Sequence, residues 1–124
     1  MITKLLWVGL GGGVGSIFRY LTSVAVNKYA TGTVFPFATF MVNILGCLII
    51  GILIGLSAKH HWIGEPLKLL LITGFCGGYT TFSTFSLENL QLQQAGHFFV
   101  LALYIAASVL VGLAAVYIGL LLGK

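Results

Sequence analysis

Apolar residues run along this chain in long stretches, and the few polar interruptions divide it into four segments. The first covers residues 2–26, which at about 1.5 Å per residue is ample for a tilted membrane-crossing helix. A polar turn follows at 27–33. The second segment covers 35–57, with Pro36 at a helix-start position where its missing N–H does no harm. Residues 59–66 form the one substantial loop. Trp62 lies in it, and Trp7 and Tyr29 lie near other span ends, which fits an interfacial aromatic belt. The fourth segment, 97–122, is apolar except for Tyr104 and Ser108.

The third segment, 67–94, has a different texture. An apolar start leads into Thr73-Gly74-Phe75-Cys76-Gly77-Gly78-Tyr79-Thr80-Thr81, followed by Phe82-Ser83-Thr84-Phe85-Ser86 and Glu88. Each interior glycine costs about 1 kcal/mol relative to alanine, and the threonines compete for backbone hydrogen bonds. This pattern predicts a broken helix rather than a continuous one over 73–81. Non-helical backbone at membrane depth persists only where protein or a polar ligand satisfies its amides and carbonyls. An ion held by main-chain carbonyls near Gly77 and Thr80 is one way to do so. Bound water or a neighbouring helix is the other.

Composition turns the pattern into a membrane protein. The 124 residues are 59% hydrophobic and 6% charged, against about 25% charged in a typical soluble domain. The charges are Lys4, Arg19, Lys28, Lys59, Glu65, Lys68, Glu88 and Lys124, leaving charge-free runs at 29–58, 69–87 and 89–123. Such runs match or exceed what a bilayer core requires. The fold class expected is therefore all-α, a single domain over 1–124 with four transmembrane helices, the third broken mid-membrane. The net charge of +4 is spread over loop lysines with no basic cluster, so nucleic acid is not expected as a partner. The first segment lacks a small-residue cleavage site and is expected to be retained. Lys4, Lys59, Lys68 and Lys124 fall on one side of a four-span topology, with Lys28 and the deeper Arg19 on the other. That bias is small, so the positive-inside rule sets orientation weakly.

Small residues recur at helix-packing spacing: Gly9 with Gly13, Gly11 with Gly15, Gly51 with Gly55, and Gly74 with Gly78. Gly9–Gly15 also resembles a dinucleotide fingerprint, but no strand precedes it and no acidic residue follows at the required distance. Cys47 and Cys76 sit in apolar spans without a metal-ligand grouping. No Ser/His/Asp set, carboxylate pair or phosphate loop is present, so an enzyme is not expected.

A sparse set of polar and aromatic residues remains. Phe82 and Phe85 are three apart, so on a helix resuming after the break they project from one face, and Glu88 continues that stripe. Against lipid they are filler; facing a pathway, their electropositive ring edges could solvate a small anion without the trap of a full charge. Asn43 is the one amide in mid-span, either an interhelical hydrogen bond or a donor to a passing anion. Thr39 lies one turn before it, and Tyr104 and Ser108 share the same spacing on the fourth span. The stripe then continues through Gly112 and Val116, which carry no polar group. Arg19 and Glu88 are ionisable residues at or near membrane depth. Arg19 could instead snorkel or bind helix-end carbonyls, a structural role, and Glu88 could simply end its span.

Three stretches together resemble the Fluc/CrcB fluoride channels: Gly12-Gly13-Val14-Gly15-Ser16-Ile17-Phe18-Arg19-Tyr20, Asn43-Ile44-Leu45-Gly46, and Gly74 through Ser86. The last is the specific one; the others support it. The resemblance implies an antiparallel, dual-topology homodimer with two fluoride pores and a structural sodium ion (Na+) at the broken helices. It further implies that Phe82 and Phe85 line the pores, that Asn43 donates to fluoride, and that Tyr104 and Ser108 face the pathway with Thr39 and Glu88 near it. Gly77 and Thr80 carbonyls would hold the sodium. The implied role is passive export of fluoride across a bacterial inner membrane, with lipid and a second copy of the chain as partners. Two rivals are a proton-coupled multidrug exporter, which would resemble a family with a carboxylate in the first span, and a non-transporting accessory subunit.

Overall fold

The structure, a computed structural model, describes residues 1–124 and is built of helices joined by short connections. Helix α1 spans Ile2–Tyr29 and α2 spans Phe37–Lys59. Helix α3 runs on through Glu65–Lys68, a wider π-type winding at Leu69–Cys76, and a last α-helical turn at Gly77–Tyr79. Thr80 and Thr81 then adopt extended backbone, after which α4 spans Phe82–Gln94. Helix α5 spans Phe98–Leu122.

The interruption of the third segment is real, but it is much shorter than the 73–81 stretch that the glycines and threonines predict. Gly74, Gly77 and Gly78 are all helical, and only the two threonines leave the helix. The reason lies on α1. Gly74 packs against Gly11 and the carbonyl of Val8, and Gly78 packs against Gly12, so a Cβ at either position would strike backbone. Close backbone approach along this seam offsets the intrinsic cost of glycine in a helix. A second seam joins α2 to α5, where Gly51 and Gly55 meet the backbone around Gly119 and Gly123. Gly9 and Gly13, by contrast, face open space.

The molecule is thus two glycine-seamed pairs, α1 with α3 and α2 with α5, with α4 laid against α5. Its accessible surface is 7640 Å², against roughly 6,400 Å² expected of a compact soluble protein of this mass. Much of it is apolar: Leu10, Leu21, Val24, Leu110 and Leu113 are all exposed. Helices α2 and α5 are each long and apolar enough to cross a membrane. Helix α1 is diluted by Lys4, Arg19 and Lys28, and α3 and α4 are shortened by the break. Lys4 and Glu65 pair at 2.8 Å across the first turns of α1 and α3, both in the open.

Candidate functional site

Three side chains manage the break. The Thr80 hydroxyl folds back to donate to the Cys76 carbonyl at 2.9 Å, which also accepts the Thr80 amide. The Thr81 hydroxyl caps α4 by accepting the Thr84 amide at 3.2 Å. Asn43, on α2, pairs with Thr81 at both ends: its Nδ2 donates to the Thr81 carbonyl (3.1 Å) and its Oδ1 accepts the Thr81 amide (2.8 Å). The interhelical hydrogen bond is therefore what the structure places at Asn43. One N–H of its amide group remains uncommitted by these bonds. No hydrogen bond within the chain ends on the carbonyls of Gly77 or Thr80. Two unpaired main-chain oxygens at a helix break suit a hard cation such as sodium.

Beside the break lies an open cleft of about 570 Å³. Asn43, Gly77, Thr80, Phe82, Phe85 and Ser108 all line it, so much of the sequence-predicted site meets on one face. The two phenylalanine rings are 6.0 Å apart at 42°, and Phe82 is 78% exposed. The Ser108 hydroxyl is buried and has no partner in the chain. No lining residue is charged. The cleft thus offers two aromatic rings and an amide, with the Ser108 hydroxyl buried behind its lining, a set without charge that can solvate an anion weakly.

Thr39, Glu88 and Tyr104 form a separate cluster behind Phe85. The Glu88 carboxylate accepts from the Thr39 hydroxyl (2.9 Å) and the Tyr104 hydroxyl (2.8 Å), and Tyr104 is fully buried. The Phe85 ring rests 4.9 Å from the Tyr104 ring, joining cluster to cleft. Glu88 consequently faces inward at the middle of α4 and does not merely end a span. The stripe beyond Ser108 goes into packing: Gly112 meets Cys47, and the Val116 carbonyl meets Gly51.

Arg19 binds no helix-end carbonyl, contrary to one structural role expected of it. It is half-buried in a smaller cleft of about 220 Å³ with Ser16, Ser23, Thr39 and Thr84, and its Nε lacks a partner. Sequence reasoning also missed the bond between Thr22 and the Tyr79 hydroxyl (2.9 Å), which anchors the last turn before the break to α1. The hydroxyls were legible as polar residues in apolar spans; their partners, 57 positions apart, were not.

The family described as CrcB-like protein, Camphor Resistance (CrcB), matches residues 6–120. A protein of Azobacteroides pseudotrichonymphae named fluoride-specific ion channel FluC is 50% identical, the alignment covering 98% of this chain and 97% of that one. One of the same name from Flavobacterium psychrophilum is 50% identical, with 97% and 96% covered, and one from Phocaeicola vulgatus is 45% identical, with 94% and 95% covered. With a match across nearly its whole length and relatives this similar, the chain belongs to the CrcB-like family.

Proposed function

We propose that this protein is a fluoride-selective channel that exports fluoride passively. The observation that carries the reading is the uncharged cleft, which Asn43, Phe82, Phe85 and Ser108 line together beside the break. Fluoride is small and strongly hydrated; a pathway must replace its water with donors yet hold it loosely enough to release it. Ring edges and an uncommitted amide N–H do this without a fixed positive charge. The name borne by the relatives points to the same ion.

The working form is an antiparallel homodimer of four-span subunits in a bacterial inner membrane, inserted in both orientations. Its support is the open cleft itself, which exposes a large aromatic ring and polar backbone that lipid cannot satisfy. A structural sodium ion held by the Gly77 and Thr80 carbonyls would supply positive charge at the joined breaks. The exporter alternative has little to use, since both oxygens of Glu88 are already engaged by hydroxyls.

Liposomes loaded with fluoride test the reading. Purified protein is expected to release fluoride but not chloride, without a pH gradient, and an active preparation that releases no fluoride would sink it. Phe82→Ile or Phe85→Ile, which replace a positive ring edge by alkyl, should each cut the flux by about tenfold or more. Undiminished flux from both variants would refute the ring-edge role.

A further inference from the structure

We infer that Asn43 is the residue that creates the cation site at the break, by taking away the hydrogen-bond donor that would otherwise close it. This rests on reading the break as a cation site. In a helix continuing through the break, the Thr81 amide would donate to the Gly77 carbonyl four residues back. Here it donates to Asn43 Oδ1 instead, while Asn43 Nδ2 holds the Thr81 carbonyl. The Gly77 oxygen is left free, and the extended backbone that follows turns the Thr80 oxygen out of any ladder.

Nothing covalent forces the interruption. No proline lies between 67 and 94, and Gly74, Gly77 and Gly78 all remain helical. The Thr81 cap stabilises α4 once it has begun, but it does not stop α3. Among the bonds made by Thr80 and Thr81 themselves, the pair to Asn43 is the one supplied from another helix. Gly46, one turn along α2, supports the same arrangement. The Thr80 methyl presses against it, and a Cβ there would push Thr80 away. The α2 face carrying Asn43 and Gly46 is therefore shaped to receive the break. A residue expected to serve the anion is, on this geometry, the positioning residue for the cation.

The test compares full-length protein in mild detergent as sodium is replaced stepwise by N-methylglucamine, reading the sodium concentration for half-maximal thermal stabilisation. Wild type is expected to be stabilised by sodium. Asn43→Leu, which returns the Thr81 amide to Gly77, should need about tenfold more sodium or lose the response. Asn43→Asp keeps an acceptor for that amide and should bind sodium no more weakly than wild type. Asn43→Leu with wild-type affinity, or Asn43→Asp as weak as Asn43→Leu, would overturn the inference. A wild type indifferent to sodium would sink the cation reading itself, a distinguishable result. If Asn43→Leu does not assemble, hydrogen exchange at the wild-type Thr81 amide decides. Protection that survives sodium removal supports Asn43 as the organiser, and exchange at a loop's rate without sodium rejects it.

Discussion

Glu88 shows how a few side chains divide the work. Its half-buried carboxylate sits between two hydroxyls from two other helices, so it ties α4 to α2 and α5 at one point. Tyr104→Phe removes one donor and leaves a carboxylate oxygen facing an apolar edge. The expected cost is about 1–3 kcal/mol, measurable by chemical unfolding in mild detergent. The Phe85 ring, resting on Tyr104, should loosen with it and flux should fall. Wild-type stability in this variant would show that the hydrogen bond contributes nothing net.

At the scale of elements, the glycine seams decide both what the sequence reveals and what it hides. Segment boundaries were legible because charges and polar turns mark them. The break was legible too, but its extent was not. A glycine reads as a helix breaker until its partner is known, and Gly74 and Gly78 are held helical by Gly11 and Gly12, more than 60 positions away. The candidate site was readable only as residue types, since hydroxyls, an amide and paired rings stand out in apolar spans. Its pairing was not, because nothing in one sequence ties Asn43 to Thr81, 38 positions on. The seam yields its own prediction. Gly78→Val drives a branched side chain into the α1 backbone and should cost more than about 3 kcal/mol or abolish assembly. Gly13→Ala, on a face where a Cβ meets nothing, should be tolerated, with stability unchanged or raised. Equal damage from both would mean that Gly13 is covered in the assembled protein.

For the whole molecule, the weak charge bias matters most. On the proposed four-span topology Lys4, Lys59, Lys68 and Lys124 are set against Lys28 and Arg19, a bias too small to fix strongly which way a chain inserts. An antiparallel pair needs both orientations. Replacing His60 and His61 with arginine adds two positive charges to one side and should bias the chain to a single orientation. Fluoride flux should then fall, and co-expression with a chain biased the opposite way should restore it. Undiminished flux from a uniformly oriented preparation would exclude the antiparallel arrangement.

The two-residue gap between α3 and α4 also has a mechanical meaning. Helix α3 is fastened to α1 along its glycine seam and by the Thr22–Tyr79 bond, whereas α4 is fastened to α2 and α5 through Glu88. A continuous rod would carry any tilt of the first pair straight into the phenylalanine rings. The extended backbone at Thr80 and Thr81 breaks that rod, so a tilt of α1 and α3 under a thicker or thinner bilayer has a joint to turn on before it reaches the Phe82 and Phe85 rings.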